Sequence, residues 1–240
     1  MNEVPTYFRY WGKAEKDGSR YHLLPYHCLD VAAVGHLLLE PTKPLCQRLS
    51  IQLQTSPEWL QQWATYILAL HDIGKFATAF QGLVPSLSSS LVTSNPSMPY
   101  TTRHDTLGYA LLSDLWVDSV GFGLNVGNAD LQKLFRNIRP WIEIVTGHHG
   151  EPPTTMPIHR QNFFTLFDEV AATHYAKTNV GLFLENFDCS LFVEKALKNR
   201  LKFSSWSIAG MVVLADWLGS GRNPESFLQD EVSLNSYWEE

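Results

Sequence analysis

The sequence predicts an all-α protein built as one large domain. In several segments the apolar residues recur every three or four positions, and prolines or N-cap residues bound these segments. No stretch shows the strict alternation of apolar and polar residues that is typical of a half-buried strand. The 240 residues are enough for one domain with a substantial core, and no internal repeat divides them.

Composition and charge narrow the functional classes. Hydrophobic residues make up 45% of the chain and charged residues 18%, which favours a globular domain over disordered tails. A net charge of −6 argues against a free-standing, high-affinity nucleic-acid binder. No run of eighteen apolar residues and no signal peptide are visible, and three isolated cysteines suit a reducing compartment. We therefore expect a cytoplasmic protein with no membrane segment.

The N-terminal quarter combines an aromatic arm with a first helix. Residues 1–26 are aromatic and irregular, and we interpret them as an arm packed on the core. Residues 26–40 show a helical apolar face, and Pro41 ends that helix. A loop containing Pro41 and Pro44 is expected to follow.

The second helix carries the pair of residues around which the rest of the site is organised. Ser56 is a good N-cap and Pro57 a good first helical residue, and the apolar face that follows ends at His71-Asp72. Adjacent helical residues point about 100° apart, so both reach one point only near a helix end. An imidazole nitrogen and a carboxylate oxygen there suit a metal ion. The structural alternative is a buried ion pair at a helix C-terminus.

The remaining chain supplies further helices and loops. Residues 83–103 form a long loop rich in Ser, Pro, Thr and Asn, and loops of this length are usually functional or mobile. A glycine-rich linker is expected at residues 121–127. Helices are expected over residues 104–116, 141–146, 159–176, 188–201 and 205–218, before a tail of about twenty residues. The helix at 205–218 looks the most buried of these.

Potential metal ligands lie near the ends of several of these helices. They are His27 and His104 near helix starts, His71-Asp72 and His148-His149 near helix ends, and Asp216 late in an apolar helix. An ionised carboxylate in an apolar helix is costly unless it is paired or bound to metal. Each residue alone has a structural alternative: a packed histidine, a turn, or an ion pair with lysine. The four remaining histidines are interpreted as core or surface residues: His22, His36, His159 and His174.

The order of these residues resembles a known superfamily. A histidine, then a histidine-aspartate pair, then a late aspartate is the pattern of the HD-domain metal-dependent phosphohydrolases. The longer motifs are similar to the HD nuclease domain of the type I CRISPR helicase-nuclease, particularly subtype I-E. The matching segments are Tyr10-Trp11-Gly12-Lys13, residues 24–33, residues 71–76, His104, Gly147-His148-His149-Gly150 and residues 215–220. The likeness spans roughly residues 7–220; residues 83–103 and 151–200 match no pattern.

The resemblance implies an HD-domain helical bundle with two divalent transition metals. One metal would take His27, His71, Asp72 and Asp216, and the second would take Asp72, His104, His148 and His149. Ions held in this way can bind both the attacking and the leaving oxygen of a phosphodiester and can ionise a bound water. Imidazole-rich sites favour Mn, Fe, Co or Ni, although Mg is possible.

Two further residues are expected to act in catalysis, one because of its charge and the other because of the family resemblance. Lys75 is expected to offset negative charge in the transition state. Ser220 is similar in position to a family serine thought to contact the phosphate, and its structural alternative is a helix-terminal hydroxyl. With Asp72, these residues complete the expected catalytic set.

The resemblance implies that the protein is a metal-dependent nuclease of CRISPR type I interference that degrades single-stranded DNA. It leaves open whether cleavage is endonucleolytic or exonucleolytic. Its implied partners are single-stranded DNA, a superfamily 2 helicase, fused or separate, and the CRISPR surveillance complex. We expect an arm at 1–26, a nuclease domain at 27–220 and a tail or linker toward a helicase at 221–240. The family usually continues into that helicase, so this chain is either a stand-alone version or an excised domain. The alternatives are an HD phosphohydrolase acting on nucleotides or cyclic nucleotides, and a silent module that only binds a partner.

Overall fold

The computed structural model describes residues 5–85, 87–118, 123–124 and 131–240. Helices dominate this part of the chain, which confirms the predicted all-α class. The predicted linker at 121–127 lies almost entirely outside the described residues. The helices are α1 (Leu24–Leu38), α2 (Pro44–Leu53), α3 (Pro57–Leu68), α4 (Thr78–Gln81), α5 (His104–Asp118), α6 (Leu131–Thr146), α7 (Leu166–Phe183), α8 (Lys195–Gly219) and α9 (Leu234–Glu239).

A small antiparallel hairpin precedes the first helix. Strands β1 (Trp11–Ala14) and β2 (Tyr21–Leu23) pair with each other, so the expectation of no strand is wrong here. Consecutive residues of β2 are all buried, which explains why the segment shows no alternation of apolar and polar residues. The hairpin lies against α1 and makes the N-terminal arm more regular than expected.

Helix α1 lies at the centre of the bundle and contacts both α3 and α8. Its crossing with α8 is tight: a Cβ on Gly219 would lie 2.7 Å from the Cα of Val31, so only glycine fits there. Helix α6 contacts α5 and α8 from the other side. The ends of α3, α6 and α8 are thereby brought to the first turns of α1 and α5.

Several helix boundaries differ from the sequence predictions. The expected loop after Pro41 contains α2, because Pro44 is the first residue of a helix and does not end one. Helix α6 begins at Leu131, well before the expected start, and accommodates Pro140 in its interior. The helices expected at 188–201 and 205–218 are largely one continuous helix, α8. The predicted tail contains α9, whose Tyr237 packs against α1.

The expectation that residues 205–218 are the most buried helix is wrong. Three aromatic side chains of α8 are mostly exposed: Phe203 and Trp206 at 85% and Trp217 at 72%. They recur on one face of the helix, while Ile208, Met211, Val212 and Ala215 are buried on another. The apolar composition of this segment is therefore divided between the core and an exposed surface.

Asp168 ties the N-terminal arm to the helices around it. Its buried carboxylate accepts hydrogen bonds from the Tyr10 hydroxyl at 2.7 Å and from the backbone N–H of Thr165 at 2.7 Å. It also accepts from the N–H of Thr78 at 3.1 Å and from its hydroxyl at 2.7 Å. These bonds hold the start of α4, three residues after Lys75, against the start of α7.

Among the described residues, no helix is long and apolar enough to cross a membrane. The three cysteines are buried free thiols. The cytoplasmic location expected from the sequence stays a prediction.

Candidate metal centre

The end of α3 places His71 and Asp72 inside the protein. After Leu68 the chain continues through a turn into a short 3-10 helix, Ile73–Phe76, so the two side chains leave the helix end in different directions. The ring Nδ1 of His71 lies 2.9 Å from the carbonyl oxygen of Leu68. Because Nδ1 donates to this carbonyl, Nε2 is left as a free electron-pair donor facing Asp72.

Glycine at position 74 brings α5 to this turn. A Cβ on Gly74 would lie 1.9 Å from the carbonyl oxygen of His104 and 2.5 Å from the N–H nitrogen of Gly108. Any side chain would therefore push α5 away. Its absence lets the first residue of α5 reach Asp72, and the Nε2 atom of His104 lies 3.2 Å from Oδ1 of that carboxylate.

The end of α6 repeats the arrangement at the end of α3. The ring Nδ1 of His148 lies 3.1 Å from the carbonyl oxygen of Val145, three residues earlier. Its Nε2 lies 3.3 Å from Oδ1 of Asp72. The same histidine-to-carbonyl contact at two helix ends thus aims two imidazole nitrogens at one carboxylate.

The two oxygens of Asp72 face different groups. Oδ2 lies 2.8 Å from Nε2 of His27, 3.3 Å from Nε2 of His71 and 2.6 Å from the ammonium of Lys75. Oδ1 faces His104 and His148. One buried carboxylate therefore stands between two sets of imidazole nitrogens.

The remaining candidates complete the cluster. Oδ1 of Asp216 lies 3.7 Å from Nε2 of His71 and accepts a hydrogen bond from the Ser220 hydroxyl at 2.8 Å. On the outer side, the Nε2 atoms of His149 and His104 are 2.9 Å apart. All seven metal ligands expected from the sequence are therefore brought to one place, together with Lys75 and Ser220.

The chemistry of these donors fits metal ions. Two groups of ligand atoms lie within 4.8 Å of one another: His27, His71 and Asp72, and separately His104, His148 and His149. Nε2 of His71 and Oδ1 of Asp72 are buried without a hydrogen-bond partner. A buried unpaired donor or acceptor is costly, and a bound cation would satisfy both atoms. Nitrogen-rich donor sets with a carboxylate suit first-row transition metals.

Burial and neighbouring charges set the protonation states of the cluster. Burial, followed by the charge of Lys75, lowers the pKa of His27 to about 4. Burial, then His148 and His104, lowers the pKa of His149 to about 4. Burial alone would raise the pKa of Asp72, but Lys75, His71 and His104 hold it well below its usual range. The carboxylate is therefore ionised and these two imidazoles are neutral near pH 7, as metal ligands must be.

His71 departs from this pattern. Burial would lower its pKa, but the negative charges of Asp72 and Asp216 outweigh burial and raise it. Of the inner imidazoles, it is the one at which protons compete most strongly with a metal.

Tyr100 is a residue of the site that the sequence did not indicate. Its hydroxyl lies 3.1 Å from Nδ1 of His104 and accepts a hydrogen bond from the backbone N–H of the same residue at 2.8 Å. It comes from the long loop at 83–103, which matched no motif. The loop thus orients a candidate ligand through one side chain that no spacing rule selects.

The histidines left out of the predicted site lie away from it. His22 contacts Asp30 at 3.0 Å, and His36 contacts the hydroxyl of Thr65 at 3.1 Å. His159 precedes a short 3-10 helix, and His174 packs on Tyr7.

A helical bundle with a buried histidine and aspartate cluster at its helix ends defines the class: an HD-domain metal-dependent hydrolase. The sequence model of the family described as Cas3, HD domain matches residues 11–224, which is most of the chain. The chain belongs to this family. The resemblance seen in the sequence and the HD nuclease class that it implied are thereby confirmed.

Individual relatives agree with this assignment. The CRISPR-associated endonuclease/helicase Cas3 of Escherichia coli (strain K12) is 29% identical over 243 residues, covering 92% of this chain and 26% of the relative. The crystal structure of T. fusca Cas3 matches with a TM-score of 0.66 at 17% identity, covering 98% of this chain and 26% of that one.

A chain of a CRISPR RNA-guided surveillance complex, pre-nicking, matches with a TM-score of 0.64 at 18% identity, covering 96% of this chain and 27% of that one. The chain therefore spans about a quarter of the length of these relatives.

Proposed function

We propose that this chain is a two-metal nuclease that hydrolyses phosphodiester bonds of single-stranded DNA during CRISPR type I interference. The observation that carries the proposal is Asp72, a buried carboxylate whose two oxygens face two different sets of imidazoles. His27, His71, Asp72 and Asp216 would hold one metal, and Asp72, His104, His148 and His149 would hold a second. Two such ions would supply a water nucleophile and would neutralise charge on the phosphate.

The residues of the chain have separate tasks in this proposal. The imidazoles of His71 and His148 are oriented by their backbone carbonyl contacts, and that of His104 by Tyr100. Ser220 donates to Asp216 and so orients it. Its predicted contact with the phosphate stays a prediction. The exposed side chain of His149 marks the side from which a strand would reach the cluster.

Lys75 is proposed to stabilise negative charge that develops on the phosphate. Its ammonium lies 2.6 Å from Oδ2 of Asp72, donates to the carbonyl of Gly12 at 3.0 Å and lies over the ring of Phe80. A positive charge beside a metal ligand does not favour metal binding, so its presence there suits an anionic substrate.

The test of this role is Lys75→Ala, assayed for bound metal and for rate. We expect full metal content and a rate lowered by about 10²–10³-fold, the range for loss of one transition-state contact. Lys43→Ala, at an exposed surface position, is the matched control. Loss of metal from Lys75→Ala would make the residue a structural neighbour of Asp72 instead.

We propose single-stranded DNA as the substrate. The net charge of −6 repels nucleic acid from the protein as a whole, so only the metal cluster and nearby cations attract it. A stiff duplex is harder to bring to a centre recessed between helix ends.

Elemental analysis of the purified protein should give two transition-metal ions per chain. With manganese and no nucleotide, circular single-stranded DNA should be degraded and blunt duplex DNA should resist. Equal rates on both, or a requirement for ATP, would overturn this division of labour.

A helicase is the proposed protein partner, fused or separate, and it would supply the unwound strand. The E. coli relative is named an endonuclease/helicase, and about three quarters of its length lies outside the match. The exposed face of α8, formed by Phe203, Trp206, Leu214 and Trp217, is an apolar surface suited to a second folded domain. We propose that the helicase covers this face and that the surveillance complex delivers the target DNA.

Substituting serine for Phe203, Trp206 and Trp217 should abolish association with the superfamily 2 helicase of the same CRISPR system in analytical ultracentrifugation. Cleavage of single-stranded DNA by the isolated chain should persist, because the substitutions change only mostly exposed side chains and leave every candidate ligand in place. Leu166→Ser, at an exposed apolar position on α7, is the control. Unchanged association would refute the assignment of this face, and self-association of the unaltered chain would assign the face to a second copy.

We propose the division of the chain at 1–26, 27–220 and 221–240 as an arm, a nuclease domain and a segment toward the helicase. The nucleotide phosphohydrolase alternative is not favoured, because the family match is to the Cas3 HD domain and the E. coli relative is named an endonuclease/helicase. The complete set of seven candidate ligands argues against a silent module.

A further inference from the structure

Lys13 on β1 is a second cation beside the metal centre, and its charge is not neutralised. Its ammonium donates to the backbone carbonyl of Ser220, and within the described residues no carboxylate oxygen forms an ion pair with it. Lys75, in contrast, is paired with Asp72. An ammonium has three donors, so this contact leaves two of them available.

Lys13 lies within electrostatic range of the cluster. Burial and the charge of Lys75 lower the pKa of Lys13, while Asp216 and Asp72 act in the opposite direction. Its neighbour Gly12 accepts the hydrogen bond from Lys75, and its partner Ser220 donates to Asp216. Lys13 is therefore connected to Asp216 through Ser220, and to Asp72 through Gly12 and Lys75.

An open cavity of about 680 Å³ extends from Lys13 away from the cluster, between the hairpin and the residues that follow α8. Its lining includes Lys13, Lys16, Ser220 and Arg222. The guanidinium of Arg222 is paired with Asp30 at 2.6 Å.

Two acidic residues also line this cavity, but their carboxylates hydrogen-bond to the hairpin turn. Glu15 accepts from the hydroxyl of Ser19 at 2.8 Å, and Asp17 accepts from the same hydroxyl at 2.7 Å. These hydrogen bonds fix both carboxylates at the hairpin turn but do not remove their negative charge. Among the described residues, the cations of the lining that form no ion pair are Lys13 and the exposed Lys16.

We propose that Lys13 and this cavity bind a phosphate of the DNA strand next to the one being cleaved. The inference rests on the proposed nuclease function and adds a binding site outside the metal ligands. An unneutralised, half-buried cation is costly in a chain of net charge −6 unless an anion approaches it. The cavity accommodates a phosphate with its sugar and continues directly from Ser220 at the edge of the cluster. Lys13 contacts the backbone of the strand, so this site recognises no base.

The test measures binding by the metal-free chain, which separates Lys13 from the chemistry of the loaded enzyme. Fluorescence anisotropy with labelled ten-nucleotide dT and dA strands is recorded in EDTA between 20 and 200 mM salt. For Lys13→Gln we expect weaker binding to both strands and a slope of log K against log salt that is smaller by about 0.7, the value for one phosphate contact on a single strand. Lys13→Arg should retain the slope of the unaltered chain.

Lys195→Gln is the matched control, because it removes the same charge from the opposite end of α8, which makes no contact with the cavity. It should leave the slope unchanged. With manganese, Lys13→Gln should raise KM for single-stranded DNA more than it lowers kcat, while metal content and Tm stay at the values of the unaltered chain.

The outcomes separate this inference from the proposed function. Three results would refute the phosphate site. They are an unchanged salt slope for Lys13→Gln, an equal decrease of the slope for Lys195→Gln, and no measurable binding of DNA by the unaltered chain at 20 mM salt. A lower Tm or a lower metal content in Lys13→Gln would indicate that Lys13 only supports Ser220 structurally. An unaltered chain that binds strands through Lys13 but does not cut them would refute the nuclease proposal and leave the phosphate site standing.

Discussion

The two halves of the ligand cluster differ in their exposure to solvent. In the inner half, the exposed fractions of His27, His71 and Asp72 are 3%, 0% and 1%. In the outer half, His148 is buried, His104 is partly exposed and His149 is exposed. The inner half draws its side chains from the start of α1 and the turn after α3, beside Asp216 of α8, whereas the outer half lies where α5 begins and α6 ends. We infer that the inner half is fixed before substrate arrives and that the outer half receives it.

Asp72→Ala should have the largest effect, because this residue belongs to both halves. We expect loss of both metals and of all detectable cleavage, since the substitution leaves the four imidazoles of His27, His71, His104 and His148 without their common carboxylate. Elemental analysis and digestion of circular single-stranded DNA measure the two effects. Asp114→Ala, at a half-exposed ion pair with Arg160, is the control. Two metals retained per chain by the Asp72 variant would refute the bridging assignment.

His27→Ala and His149→Ala should separate the two halves. Each variant should lose one of the two proposed metals. The inner variant should also lose stability, because truncating the buried ring leaves a cavity in the core, which typically costs about 2–5 kcal/mol. The outer variant removes an exposed ring and should keep the Tm of the metal-free chain. Titration calorimetry with manganese and thermal unfolding in EDTA give the two readouts; equal loss of Tm in both variants would contradict the comparison.

Tyr100→Phe should affect only the outer half. Removing the hydroxyl leaves Nδ1 of His104 without its contact at 3.1 Å, and loss of such an outer contact typically weakens metal affinity or activity about 10–100-fold. The affinity for the other ion should not change. Tyr109→Phe, on the same helix as His104, is the matched control. If Tyr100→Phe bound both metal ions with unchanged affinity, the loop would not be needed to orient His104.

The pH dependence of the stability of the metal-free chain should be the smallest effect, and it should distinguish the ligands from one another. In the metal-free chain, the pKa values of His27 and His149 are lowered to about 4, so these rings stay neutral where the unfolded chain, with a pKa of about 6.5, takes up protons. Their contribution therefore lowers stability as pH falls from about 6.5 to about 4. Thermal unfolding in EDTA across this range should show the decrease. His27→Gln should make the curve flatter.

Activity should fall on acidification for a related reason. Protons compete with metal at each imidazole, and the raised pKa of His71 makes it the first inner ligand to protonate. Added manganese at pH 6 should restore part of the rate. A rate that falls at pH 6 and does not respond to manganese would indicate a separate titrating base.

The sequence by itself determined the helical class and the identity of the candidate ligands. Both follow from local information: spacing of apolar residues, prolines and caps at helix ends, and residue types that bind metals. His71-Asp72 and His148-His149 could be selected because each pair lies at the end of an apolar helix, where side chains of adjacent residues reach one point.

Tertiary structure alone decided how these residues meet and which surfaces remain exposed. The contact of α5 with the turn at Gly74, the division of the Asp72 oxygens between two sets of imidazoles, and the role of Tyr100 depend on residues distant in sequence. The exposed aromatic face of α8 was mistaken for core, because an apolar residue has the same sequence signature whether or not another helix covers it. The proposed phosphate site at Lys13 depends likewise on the hairpin meeting the end of α8, a contact across more than 200 residues that no local pattern encodes.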